Sequence, residues 1–415
     1  MLAIGTALRT DSGRKIRVGE MLGGGAQGQV YVADDGSGKR GVLKLFQKRY
    51  ATSDTVRRMR YLIDRGLPAV CPVLVAPVDT VTQGGVVAHY APFAEGVSLE
   101  EFLGDPSATF SEQLQLAIAF AHAMTVLHGL GIAHGDLHSE NLLVKRAGSA
   151  LMLSIIDLDN FNAAGLPSPP AVGHTLYMAP ELRAALAKGE VAIPTVATDR
   201  FAMGVLFHEM ILLRHPSHGN DDSQEHFEKA MCSGHWLLDP AATDLRTETP
   251  GGYPSLVLNA DLARLFRHAM SLDPSRRPSA DVWKAELLKA LRAVHVCPRP
   301  ECGAPCVIDV SKRACPMCGE TFPHLTLRMV ASGNRIILDK GVMVIGRNTI
   351  GDSMKLSARH AVLRRIGPET WIECLGRNGT FRWNGATWVR LPEGKPLLVQ
   401  AGDRLRFADV EGELK

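Results

Sequence analysis

Residues 134–141 read HGDLHSEN, and those eight positions decide what kind of molecule this is. They follow an apolar stretch, Leu114 to Ala133, that is broken by Gln115, His122, His128 and two glycines. Such a stretch fits a buried helix better than a membrane span. Asp136 is a carboxylate able to orient and deprotonate a hydroxyl group, and Asn141, five residues on, offers a carbonyl oxygen that can hold a metal ion. Sixteen residues further, IIDLDNF places Asp157 at the end of a β-branched apolar run. A hard cation such as magnesium prefers oxygen ligands of this kind.

Upstream, Gly23 to Val30 read GGGAQGQV between two strand-like runs. Gly23, Gly25, Gly28 and Val30 form a G-x-G-x-x-G-x-V pattern whose glycines let backbone N–H groups approach phosphates, although a plain hairpin fits the same residues. Fourteen residues beyond Val30, GVLKLF sets Lys44 among apolar neighbours, where a lone ammonium needs an anionic partner. Downstream come YMAPE (Tyr177 to Glu181), TDRFAMG (Thr198 to Gly204) and DPSRRPSA (Asp273 to Ala280). Alternation from Lys15 to Phe46 predicts three strands. Ser53 or Asp54 is the expected cap of a helix that Gly66 and Pro68 stop, and helical periodicity dominates after Ser111.

In this order the motifs resemble the eukaryotic-like protein kinase family, in its bacterial serine/threonine form, over residues ~15 to ~292. The resemblance implies a bilobal α+β fold and transfer of the ATP γ-phosphate to protein hydroxyls with magnesium. By it Lys44 would hold the ATP α- and β-phosphates, Asp136 would be the catalytic base, and Asn141 and Asp157 would hold the metal. Glu181 would pair with Arg277, while Asp199 and His134 would support the catalytic loop.

Several positions depart from the family pattern. Gly135 replaces the arginine before Asp136, which predicts activation without phosphorylation at Ser168 or Thr175. His138 stands where lysine is usual, and HGDLH also occurs in small-molecule phosphotransferases of related fold. The 24-residue step from Asp157 to Glu181 favours a protein substrate over that alternative. His174 occupies the place of a substrate-facing threonine, with Thr175 one residue later. Asp159 replaces a glycine, and the helix TVRRMRYLID after Lys44 has no glutamate. Asp64, another acid, or nucleotide alone would have to hold the lysine. A nonenzymatic scaffold that binds nucleotide and recruits phosphoproteins is the second reading.

Five of the eight cysteines lie between Cys297 and Cys318, which favours metal over disulfides. Two turns, CPRPECG and CPMCG, each begin Cys-Pro and end Cys-Gly. Their symmetry assigns structural zinc to Cys297, Cys302, Cys315 and Cys318, with Cys306 in place of Cys302 as the competing choice. From Leu325 the pattern is all-β, with VIGR, LSARHAVL, RNGTF and AGDRLRF resembling the forkhead-associated domain. That resemblance implies a phosphothreonine site of Arg347, Ser357, Arg359 and Asn378, with His360 as an internal brace.

The expected organisation is therefore a kinase domain over 1–294, a zinc module over 295–324 and a phosphothreonine-binding sandwich over 325–415. A formal charge of +3 without like-charge blocks supports neither nucleic-acid nor membrane partners. The expected location is the cytoplasm, because the first residues lack the basic region of a secretory signal. The expected partners are protein substrates and a phosphothreonine-containing protein, with a metal-dependent protein phosphatase added by family analogy.

Overall fold

The computed structural model describes residues 2–148, 150–169, 173–218, 223–241, 252–308, 314–322, 325–338, 342–351, 353–366 and 369–415. The chain divides into two compact units. The first comprises Met1–Leu238 with Thr249–Gly252 and Leu265–Lys284. The second comprises Asp239–Glu248, Tyr253–Arg264 and Ala285–Lys415. The boundary expected after residue 324 falls beside positions 323 and 324, which lie outside the described residues.

The first unit opens with a short strand, β1 (Ala7–Arg9), ahead of the three expected from alternation: β2 (Lys15–Gly24), β3 (Gly28–Asp34) and β4 (Arg40–Phe46). Two more, β5 (Asp79–Val81) and β6 (Ala88–Pro92), complete an antiparallel sheet of order β1-β2-β3-β4-β6-β5. Ile16, Val18, Tyr31, Ala33, Leu43 and Tyr90 are its buried face. Lys44 lies opposite Val30 on one side and His89 on the other, so register alone brings that lysine and that histidine together.

Helix α1 (Ser53–Asp64) crosses this sheet and buries Thr55, Arg58, Met59 and Leu62. Its cap is Thr52, whose side chain accepts from the Thr55 N–H, so the expected caps Ser53 and Asp54 instead occupy its first turn. Gly66, at φ 56°, ends the chain's course along α1, as expected.

The rest of the unit is mainly helical. A capping box of Thr109 and Glu112 starts α2 (Phe110–Gly129), and one of Thr195 and Thr198 starts α3 (Val196–Leu212). Helix α3 is buried almost all round, with Phe207 meeting Phe120 of α2 at 5.4 Å between ring centroids. A central helix of this kind is a fixed post. The hairpin β7 (Leu142–Ala147) and β8 (Ala150–Ile155) then carries the chain from Asn141 to Asp157. Arg277, buried, forms a two-pronged pair with Glu181 at 2.6 and 2.8 Å and donates to the Ala197 carbonyl, the pairing expected from the motifs.

In the second unit, β9 (Val294–Val296) and β10 (Pro305–Val307) form a hairpin at the cysteine cluster. The C-terminal region has one sheet of six strands and one of four, all paired antiparallel. Leu327, Ile345, Leu363, Ile372, Leu405 and Phe407 fill its core, and the single helical turn Arg347–Ile350 is its only departure, among the described residues, from the all-β expectation.

Candidate functional site

A cavity of about 880 Å³ is lined by Gly23, Gly25, Gly28, Val30, Lys44, Asp136, Asn141 and Asp157, the whole set expected from the motifs. Each wall has a local cause. The glycine turn joins β2 to β3, Lys44 projects from β4, and Asp136 and Asn141 come from the loop after α2. Asp157 follows β8 and adopts the left-handed conformation, at φ 59° and ψ 57°, which turns its carboxylate back towards the lysine.

The loop around Asp136 is held from below by Asp199. One carboxylate oxygen accepts from the His134 N–H at 2.6 Å and the other from the Gly135 N–H at 3.0 Å, while His128 Nε2 lies 3.0 Å away. His134 is wholly buried and accepts the Asp136 N–H on Nδ1, a brace rather than a proton shuttle. Asn141 donates its amide to the Asp136 carbonyl at 2.9 Å, which leaves its side-chain oxygen for the cleft.

Both carboxylate oxygens of Asp136 are positioned as well. One accepts from Asn160 Nδ2 at 3.0 Å, the other from the His174 N–H at 3.0 Å. Asn160 in turn accepts from Gln27 Nε2 at 2.6 Å, so a single chain of hydrogen bonds links the tip of the glycine turn to Asp136. Neither Gln27 nor Asn160 was marked in the sequence. His138 Nε2 lies 3.9 Å from Asp136, and burial pushes its pKa below the ordinary value, so the ring beside the aspartate is neutral at physiological pH.

Lys44 is paired twice, with Asp157 at 2.7 Å and with Asp159 at 2.6 Å. Burial alone would pull the ammonium's pKa down, but the charges of Asp159 and Asp157 raise it above its usual value. Asp159 is almost fully buried, and its other oxygen lies 3.1 Å from His89 Nε2 in an oblique, chiefly electrostatic approach. Burial would raise its pKa, and Lys44 and then His89 hold it below the carboxylate range. Asp64 belongs elsewhere, in a separate cleft with Arg57, Arg60 and Leu166. Of the three partners open to Lys44 from sequence, "another acid" is the one present.

From α1 the group facing this cluster is a cation. Arg58 donates to the carbonyls of Asp159 at 2.9 Å, Pro167 at 3.0 Å and Phe161, and lies over the Phe161 ring at 4.6 Å. Burial lowers its pKa to about 10, which leaves it charged.

In the second unit, the sulfurs of Cys297, Cys302, Cys315 and Cys318 all lie within 4.8 Å of one another, with Cys297–Cys318 at 3.5 Å and Cys302–Cys315 at 3.7 Å. Cys306, fully buried on β10 opposite His295, is not in the group. Farther on, Arg347 donates to the Leu356 carbonyl at 3.0 Å and Asn378 to the Lys355 carbonyl at 2.7 Å, so both hold the loop that presents Ser357. His360 accepts the Ser357 N–H and lies 2.9 Å from the Gly379 carbonyl, an internal brace. A side chain at Gly346 would lie 2.0 Å from the Ala358 carbonyl, which requires glycine before Arg347. Arg359 is exposed beside this group.

The family model for the protein kinase domain matches residues 16–288, and that for the FHA domain matches residues 330–408. Serine/threonine-protein kinase PkaA of Streptomyces coelicolor is 27% identical over 322 residues, covering 71% of this chain and 57% of that protein. Serine/threonine-protein kinase pkn2 of Myxococcus xanthus is 26% identical over 294 residues, covering 68% and 32%. AfsK of Streptomyces coelicolor, also a serine/threonine-protein kinase, is 29% identical over 203 residues, covering 48% and 24%. This chain thus spans between about a quarter and a little over half of those relatives.

The loop geometry explains the glycine in place of the expected arginine. Gly135 sits at φ 78°, and a Cβ there would lie 2.4 Å from the Asn160 carbonyl. Gly135→Ala is expected to destabilise the first unit by more than about 1 kcal/mol and to loosen the Asn160–Asp136 contact. Thermal melting of the full chain checks this; an unshifted transition would show that the loop can relax around a side chain.

Proposed function

The chain belongs to the protein kinase family, and on that premise we propose that it transfers the γ-phosphate of ATP to serine or threonine hydroxyls of proteins. It recruits phosphothreonine-bearing partners through its FHA domain. The observation that carries the reading is the single cleft formed by the glycine turn, Lys44, Asp136, Asn141 and Asp157.

ATP and magnesium fit the residues present. The cavity is of nucleotide size, one wall is glycine backbone, and the donors facing it are the hard oxygens of Asp157 and Asn141. When bound, magnesium would be held by Asn141 and Asp157 and would offset charge on the phosphates. Lys44 binds phosphate oxygens as a fixed cation. Asp136 accepts the proton of the attacking hydroxyl, with Asn160 and the His174 N–H holding its carboxylate in line. Gln27 draws the glycine turn over the cleft through Asn160. A neutral His138 supplies no second positive charge beside the base.

The four-cysteine group suits a structural zinc. Thiolates are its preferred ligands, and sulfurs about 3.7 Å apart are what a tetrahedron with Zn–S near 2.3 Å requires. Cys297, Cys302, Cys315 and Cys318 are the ligands, and Cys306 packs as an apolar residue. In the FHA domain, Arg347 and Ser357 bind the phosphate, Asn378 the peptide backbone, and Arg359 adds positive charge. The proposed domains are 1–294, 295–324 and 325–415. The relatives' names favour protein over small-molecule substrates. Among the described residues no helix is long and apolar enough to cross a membrane.

Incubation with labelled ATP, magnesium and a generic protein substrate is expected to label the substrate, with Asp136→Ala and Lys44→Ala each reducing transfer by at least about a hundredfold. No transfer by the wild type would favour the scaffold reading. Capture on phosphothreonine peptides is expected to be lost in Arg347→Ala, and retention would remove that residue from the site. X-ray absorption of the purified chain is expected to show zinc in a shell of four sulfurs, and a strong chelator to unfold the module.

A further inference from the structure

Lys44 projects into a cleft where an ammonium requires a counter-charge at all times, and α1 supplies none. Its buried side chains are Thr55, Arg58, Met59 and Leu62, of which the only charged one is a cation. The carboxylate of Asp157 reaches Lys44 but is 36% exposed and faces the cavity, in the direction of ligand. The carboxylate of Asp159 lines the same cavity but is only 3% exposed, between Lys44 and His89. Its main chain is fastened separately, through the Arg58 hydrogen bond to its carbonyl.

We infer that Asp159 is the residue that positions Lys44, a role for which α1 offers no buried acid. The lysine's placement thereby depends on the segment after β8, and on α1 only indirectly, through the Arg58 hold on that segment. This rests on the kinase reading for its meaning in catalysis, though the coupling itself does not. Two carboxylates divide the work: Asp157 is the more accessible and can turn to other partners, whereas Asp159, almost fully buried, stays with the lysine. His89, the cross-strand neighbour of Lys44, closes the far side. Arg58 ties α1 to the same segment through backbone carbonyls, an attachment that bears on the segment and not on the lysine. Asp159 is a positioning residue, with no contact to a reacting atom required of it.

Coupling between the two side chains tests this without nucleotide. Melting of the full chain is followed for Lys44→Met, Asp159→Asn and the double variant, with the transition of the first unit identified as the one that Lys44→Met shifts. Each single variant is expected to lower that temperature, and the double variant to fall no further than the worse single one. Asp64→Asn is expected to add independently to Lys44→Met. Additive effects of Lys44 and Asp159 would overturn the inference. Should Asp159→Asn not fold, the double variant is expected to recover a cooperative transition, and a double variant that also fails overturns it as well.

A kinetic split gives the second readout. With labelled ATP, Asp159→Asn is expected to raise the KM for ATP by about tenfold or more, while Asp64→Asn leaves it within about twofold of the wild type. An unchanged KM in Asp159→Asn would reduce that residue to a packing role. If the wild type transfers no phosphate, the kinase reading fails and the melting cycle still decides the coupling.

Discussion

A largely buried charged amine is the constraint around which the first unit is organised. Lys44 extends from the centre of an antiparallel sheet into the cavity, where it is mostly shielded from solvent and lies against two carboxylates. A buried charge of this kind is tolerated only with a partner, and removing one member of such a pair costs about 3–5 kcal/mol. The partner, Asp159, belongs to the segment after β8. The sheet and the loops beneath it are therefore joined by an ion pair across the nucleotide cleft, in addition to the chain between them. The Gln27–Asn160–Asp136 chain makes a second such link at the cleft's mouth.

The four residues Asp157 to Asn160 consequently do more than offer the proposed metal ligand. Asp157 faces the cavity, Leu158 is buried, Asp159 pairs with the lysine and Asn160 donates to Asp136. The left-handed turn at Asp157 makes this possible, because it sends two carboxylates from alternate positions towards one ammonium. The same economy is seen at Asp199, whose two oxygens fix two successive N–H groups of the catalytic loop. With that loop pinned to the central helix, Gly135 passes so near Asn160 that a Cβ there would lie 2.4 Å from its carbonyl oxygen. An arginine, like any other side chain, would have to push that carbonyl aside.

Much of this was legible because the motifs are short, local and ordered. Lys44, Asp136, Asn141 and Asp157 were each marked by residue type and spacing, as were the Glu181–Arg277 pair and Asp199. The choice of Cys302 over Cys306 followed from the symmetry of two Cys-Pro turns, and it is the Cys302 sulfur that lies with those of Cys297, Cys315 and Cys318. The roles of Gln27, Arg58, His89 and Asn160 were not legible. Each acts on a residue more than 20 positions away, and no local pattern distinguishes Asn160 from any polar residue after an aspartate. The cap of α1 failed for a local reason: Thr52, Ser53 and Asp54 are all good caps, and only the chain's entry angle selects among them.

Read singly, two of the departures from the family pattern look like damage: no glutamate on α1, whose Asp64 lies in a separate cleft, and an extra acid at Asp159. The charges argue otherwise. With an acid on α1 as well, the lysine would face three carboxylates in one poorly solvated space, and like charges so placed would drive at least one to protonate. Arg58 of α1 instead takes backbone carbonyls of the segment that carries Asp159, and the two carboxylates are left to the lysine. Asp157 and Asp159 already give the ammonium two carboxylates, so the lysine's anchor lies on the floor of the cleft and an α1 acid at the same place would add charge that burial opposes.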